Sequence, residues 1–190
     1  WNSSARPQWS ERDIPDLPDD AVRKICAGAC IDGVLPSYAS LVRVSRQFRR
    51  AAEAEAKCWQ TCDLSYGWAR PTDAIISRLC AEGRLSETTE LNLSGCTALS
   101  DASLASLAAL PRLRLRSLEI EYLQRRRFTE GGLLALLRAS HELEELVLRQ
   151  VDLKGCADLS ALAAKVRTLR VLDLADQPRV RGKGLREVAH

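Results

Sequence analysis

Two histidines, His141 and His190, are the residues best suited to general acid–base chemistry, and neither stands beside a serine, cysteine or carboxylate in the pattern of a nucleophile and its base. Cys26-x3-Cys30 and Cys58-x3-Cys62 have the spacing of neighbouring residues on one helix face. Structural zinc sites use tighter pairs joined to further ligands, so neither a metal nor a cofactor is expected. Gly131-Gly132 and Gly182-x-Gly184 read as turn and helix-start glycines, not as a phosphate loop. No catalytic residue is assigned, and the chain is not expected to be an enzyme. The chemistry that remains is charge. Arg112, Arg114, Arg116 and the run Arg125-Arg126-Arg127 form a basic stretch without interleaved aromatics to stack bases, which reads as a solvated loop; nucleic acid is an unlikely partner. Six acids, Asp63, Glu90, Glu119, Glu121, Glu145 and Asp173, stand between regularly spaced leucines against the single base Arg149, in a chain whose net charge is +3.

The leucines between those acids set their positions. Leu91-x-Leu93, Leu118-x-Ile120, Leu146-x-Leu148 and Leu172-x-Leu174 start 27, 28 and 26 residues apart. Each pair is followed by a cluster with helical spacing: Leu104, Leu107 and Ala108; Leu133, Leu136 and Leu137; Leu159, Leu162 and Ala163; Leu185, Val188 and Ala189. A short strand and a helix in about 26 residues is the unit of a leucine-rich repeat, which buries its apolar side only by stacking on neighbours. The expected fold is an α/β solenoid, a short horseshoe with a parallel sheet. Residues that alternate with the leucines point to its concave side. Asp63, Glu90, Asn92, Glu119, Glu121, Glu145, Arg149 and Asp173 are therefore the candidate partner-binding residues, expected to receive a basic segment of a target or a neighbouring subunit. A degenerate repeat precedes the four, with Cys62-x-Leu64 as its strand and Ile76, Leu79 and Cys80 on its helix.

The chain before the repeats has another character. Residues 1–13 show no periodicity and are expected to be extended. Leu17-Pro18-Asp19-Asp20 is a helix start, with proline where a missing N–H costs nothing and acids at the positive end of the dipole. A helix from Pro18 to about Cys30 follows, with Val22, Ile25, Cys26 and Ala29 on one face. A second helix is expected to carry Leu41, Val44, Ser45 and Phe48 on one stripe. A third, alanine-rich segment spans Ala51 to Lys57 and leads to Trp59. The domain boundaries are 1–13, 14–60 and 61–190.

Leu17-Pro18-Asp19-Asp20, Val44-Ser45-Arg46-Gln47-Phe48 and Trp59-Gln60-Thr61-Cys62-Asp63-Leu64 together resemble an F-box and its junction with a following repeat array. Leu91-Asn92-Leu93-Ser94-Gly95-Cys96-Thr97-Ala98-Leu99-Ser100-Asp101 resembles the cysteine-containing leucine-rich repeats found behind F-boxes, where the cysteine helps satisfy backbone groups. The resemblance implies a three-helix domain that docks a Skp-type adaptor bound to a cullin through Leu17, Pro18, Val22, Ile25, Leu41, Val44, Phe48 and Trp59. The repeats would hold a target for ubiquitin transfer.

The other function class is a structural subunit of a large assembly, possible in an organelle. Methionine is absent even at position 1, which implies an excerpt of a longer protein or N-terminal processing such as organelle import. The turn Leu172-x-Leu174-x-Asp176-x-Pro178 is also similar to one in a leucine-rich coupling subunit of the mitochondrial ATP synthase. Seven scattered cysteines point to a reducing, intracellular compartment, the cytoplasm or nucleus, with the mitochondrion as the alternative. No apolar run is long enough to span a membrane.

Overall fold

The computed structural model describes residues 17–29, 44–54, 59–65, 71–123, 127–153 and 166–176. The N-terminal segment, Leu41, the helix clusters of the last two expected repeats and Arg125-Arg126 lie outside them. The chain divides into two compact units, Trp1–Cys58 and Trp59–His190. The boundary falls just before Trp59, so this residue, expected to serve adaptor docking in the helical domain, belongs instead to the second unit.

In the first unit, α1 spans Asp19–Ala29. The Pro18 carbonyl accepts the N–H groups of Ala21 and Val22, at 2.9 and 3.1 Å, and starts the helix with Asp19 and Asp20 in its first turn. The next fully described helix, α2, spans Arg46–Ala54 and runs unbroken through Ala51, where a separate third segment was expected. The break lies earlier, at Ser45. Its Oγ accepts the Phe48 N–H at 3.3 Å, an N-cap bond that gives the backbone a reason to start a new helix there. Val44 and Phe48 therefore do not share one helical stripe: Val44 is 38% exposed and Phe48 7%. α1 packs on α2. Val22, Cys26 and Ala52 are buried with Phe48, and Gln47 Nε2 ties the start of α1 by donating to Leu17 O at 2.6 Å and Asp19 Oδ1 at 3.1 Å.

The second unit is an α/β arrangement around a five-stranded, wholly parallel sheet. Its strands are β1 Thr61–Asp63, β2 Glu90–Asn92, β3 Ser117–Glu121, β4 Glu145–Arg149 and β5 Val171–Asp173, ordered as in the sequence. The described helices between them are α3 Asp73–Ala81, α4 Asp101–Ala108 and α5 Glu130–Ala139, which pack in sequence. The register pairs Cys62 with Leu91, Leu91 with Leu118, Leu118 with Leu146 and Leu146 with Leu172. One row of apolar residues thus crosses the whole sheet. Leu91, Leu118 and Leu146 are buried, as are the next row's Leu93, Ile120 and Leu148, and each contributes about 1.5–3 kcal/mol by leaving water. Ile76 and Leu79, Leu104 and Leu107, and Leu133, Leu136 and Leu137 supply the buried sides of the helices.

Two further ladders tie neighbouring strand-and-helix segments of this second unit together. The carbonyls of Gln60, Thr89, Arg116 and Glu144 each accept two N–H groups from the chain entering the next strand, at 2.7 to 3.0 Å. At the helix starts, Asp73 Oδ1 accepts the Ser100 N–H at 2.9 Å, its Oδ2 accepts the Ser100 hydroxyl at 2.6 Å, and the Ser103 hydroxyl also donates to it. One unit later, Asp101 accepts the Thr129 N–H at 2.9 Å and hydroxyl at 2.7 Å. Burial alone would raise the Asp73 pKa, but the bonds from Ser100 and Ser103 outweigh it and hold the carboxyl below its ordinary range.

Candidate functional site

The alternate residues of the five strands form three columns on the face opposite the leucine rows. The first is Thr61, Glu90, Ser117, Glu145 and Val171; the second Asp63, Asn92, Glu119, Val147 and Asp173; the third is Glu121 and Arg149, with Ser65, Ser94 and Ala175 at the equivalent positions just past the shorter strands. All eight residues expected on the concave side are brought onto this face. They carry its six carboxylates and one guanidinium.

Most of these groups are already occupied. Thr61 Oγ1 donates to Glu90 Oε2 and Ser117 Oγ to Glu145 Oε2, both at 3.1 Å, so hydroxyls on one strand hold carboxylates on the next. Asp63, Asn92 and Asp173 each accept the N–H two residues on, from Ser65, Ser94 and Ala175 at 2.8 to 2.9 Å. These Asx turns steer the chain out of three of the strands. Arg149 lies 3.2 Å from Glu121 Oε1 and grips Asp173 Oδ2 through Nε at 2.9 Å and through Nη2. Hydrogen bonding to Asp173 raises the Arg149 pKa, and the same bond lowers that of Asp173. Arg149, expected among the partner-binding residues, thus spends its charge on bridging Glu121 and Asp173 within the sheet.

Glu119 is different. It occupies the middle column of the middle strand, and among the described residues it is the one carboxylate of this face that accepts no hydrogen bond and joins no ion pair. Partial burial first, then the charges of Glu121 and Asp63, push its pKa above the ordinary glutamate value; Arg149 offsets part of this and Glu145 adds to it.

Just beyond the strands runs a column of backbone in the left-handed region: Gly95 at φ 69°, Tyr122 at 56°, Gln150 at 51° and Asp176 at 56°. Glycine takes this conformation freely, whereas a tyrosine there costs on the order of 1 kcal/mol. Tyr122 is held by its N–H, which donates to Arg149 O at 3.1 Å, and its side chain is 55% exposed. Val171, in the first column, is 50% exposed. Sequence reasoning passed over Tyr122 because it ends the alternating pattern. Its alignment with Gly95, 27 residues earlier, was the available signal.

Of the residues expected to dock an adaptor, Pro18 is exposed, Leu17 is half-buried, and Ile25 and Val44 are 44% and 38% exposed. Val22, Phe48 and Trp59 are interior. The two aromatics expected to anchor the adaptor are thus covered by their own chain. Trp59 sits under the Arg84 guanidinium, 5.5 Å from the ring centre, and its carbonyl accepts the Thr88 hydroxyl at 2.8 Å. Leu41 lies outside the described residues.

Three arginines of the basic stretch have partners. Arg114 is 3.5 Å from Glu87 and 3.9 Å from Glu142, Arg116 is 3.7 Å from Glu142, and Arg127 donates to Ala98 O at 3.2 Å. Such exposed pairs contribute at most about 1 kcal/mol each. Cys96 Sγ donates to Leu64 O at 3.2 Å in the interior, meeting the backbone just beyond the preceding strand, β1. Burial pushes the Cys62 and Cys96 thiols up to about 12, so both stay protonated. Among the described residues no group of three or more His, Cys, Asp or Glu side chains is arranged to hold a metal ion, and no helix is long and apolar enough to cross a membrane.

Compared with known proteins, the chain matches no family model, and no curated relative is found for it.

Proposed function

We propose that the chain is a non-catalytic protein-interaction module of the F-box and leucine-rich-repeat kind. Its helical unit docks a Skp-type adaptor and cullin, and its sheet presents a target to the transferring enzyme. The observation that carries the reading is the sheet itself: five parallel strands in sequence order, one per 26 to 29 residues, with a described helix in each of the first three intervals and equivalent residues in register from strand to strand. That periodicity supports a leucine-rich solenoid, whose cysteine, Cys96, makes the backbone contact the family resemblance implies. A regular sheet with one face packed and one face open offers a broad binding surface.

Mechanism then reduces to proximity and orientation: the chain makes no bond and brings two other proteins together. Pro18, Leu17, Ile25 and Val44 form the adaptor contact in this reading. Val22 and Phe48 serve it from beneath, by fixing α1 against α2. Trp59 has no part in it.

Affinity purification of the full chain from a eukaryotic cell tests the reading. Recovery of a Skp-type adaptor and cullin is expected, and replacing Ile25 and Val44 together by aspartate should remove both while the far-ultraviolet spectrum is unchanged. Recovery of a fixed set of other subunits without the adaptor would transfer the module to the structural-subunit class.

A further inference from the structure

The open face of the sheet carries a charge opposite to that of the whole chain, and an exposed tyrosine, Tyr122, directly follows its middle strand. Six carboxylates and one guanidinium stand on it, while the chain as a whole carries +3. Five of the six acids are engaged by Thr61, Ser65, Ser117, Ala175 or Arg149, which leaves Glu119 at the centre with its acceptor capacity unused. Like charges on adjacent strands are unfavourable unless a positive group comes near. A divalent ion does not suit the position, because the neighbouring carboxylates are drawn away to their own partners. A single cationic side chain does.

Tyr122 gives the second requirement. It stands three residues beyond Glu119 on the same chain, about 10 Å along the strand direction, in a backbone conformation that few side chains adopt cheaply. Tyrosine is well suited to anchoring a partner, since it offers a large rigid surface with little entropy to lose. Val171 is a further exposed apolar side chain, in the first column on β5.

We infer that this face docks an extended basic segment of a partner protein, with one lysine or arginine seated on Glu119 and an apolar side chain, three residues away in that segment, against Tyr122. The inference rests on the open sheet face as the receiving surface of the proposed module, and it is independent of adaptor docking. Charge complementarity selects the occupant: an acidic or neutral segment would leave Glu119 unpaired and more deeply buried, at greater cost than in the free protein.

Fluorescence anisotropy on the full chain tests it, with a short labelled peptide carrying lysine and leucine three residues apart and a second peptide with glutamate in place of lysine. The lysine peptide should bind, the glutamate peptide should not, and binding should weaken between about 50 and about 300 mM salt. Glu119→Gln keeps the shape and removes the charge, and should weaken binding on the order of tenfold. Tyr122→Asn, whose new side chain tolerates the left-handed backbone, should weaken it as well. Glu142→Gln removes an equal charge at a site off this face and should change affinity by less than about twofold. Equal binding of the two peptides, no binding of either, or equal losses for Glu119→Gln and Glu142→Gln would overturn the inference. Loss of adaptor recovery with peptide binding intact would count against the adaptor reading alone, and the converse against this inference alone.

Discussion

Gly132→Ala sets helix propensity against a ladder between units. Gly132 lies in the first turn of α5, where alanine in place of glycine stabilises a helix by about 0.5–1 kcal/mol. A Cβ built there would fall 2.5 Å from Asp101 Cγ, so the Asp101 carboxylate would have to swing away. It would then lose the Thr129 N–H at 2.9 Å and the Thr129 hydroxyl at 2.7 Å, and the helix would lose part of its N-terminal tether. Hydrogen bonds to a charged group contribute about 1.5 kcal/mol each at the lower end, which suits their half-buried setting, so about 3 kcal/mol opposes the gain. The expected net effect is a destabilisation of about 2 kcal/mol. The double-mutant cycle makes the argument sharp. In an Asp101→Ala background the obstacle is gone, and Gly132→Ala should stabilise by about 0.5–1 kcal/mol. Urea unfolding followed by circular dichroism, with unchanged m-values, measures all four corners. A stabilising Gly132→Ala in the wild-type background, or the same sign in both backgrounds, would refute the reasoning.

Two further outcomes are expected from the same structure. Leu118→Ala, at a fully buried site between Leu91 and Leu146, should cost about 2–5 kcal/mol, and Leu172→Ala, half-buried on the last described strand, less than about 2 kcal/mol; equal losses in denaturant unfolding would contradict the burial gradient. Titration of thermal stability should separate two carboxylates of opposite behaviour. Glu119 has its pKa raised in the folded state, so it favours folding when protonated, and its contribution is lost as pH rises from the ordinary glutamate range through the folded value. Glu119→Gln should remove that decline. Asp73 has its pKa lowered, so its contribution is present above the ordinary carboxylate range and lost as pH falls through the folded value. Asp73→Asn should flatten the acid limb, and an unchanged limb would show that the Ser100 and Ser103 bonds add nothing.

The strands were legible because two periods coincide in the sequence. Alternation of period two decides which side of a strand is buried, and a recurrence of 26 to 28 residues decides which leucines share a row. Leu91, Leu118, Leu146 and Leu172 accordingly stand on adjacent parallel strands, and the columns of Glu90, Glu119 and Glu145 follow without further information. The helical region was less legible. Val44, Ser45 and Phe48 have spacing compatible with one stripe, but the Ser45 hydroxyl competes for a backbone N–H and starts a fresh helix. Trp59 read as the end of the helical domain because of its place in a motif. Its carbonyl and ring are bound by Thr88 and Arg84, which are distant in sequence. The ladder at the helix starts did leave a trace, in Thr72-Asp73, Ser100-Asp101 and Thr129-Glu130, but its function needs the next unit to be in place.

By itself, the sequence determined the parallel sheet, its strand order, the buried rows and the identity of the open face, because hydrophobic burial depends mainly on periodicity and tolerates small shifts in geometry. Only the tertiary structure decided which charges on that face are available. Arg149 had the same standing in the sequence as any lone base among acids, yet it bridges Glu121 and Asp173, while Glu119, indistinguishable by type from Glu90 and Glu145, has no hydroxyl opposite it. Hydrogen bonds act over about 3 Å and within a narrow angle, so their partners are set by side-chain positions that no one-dimensional pattern encodes.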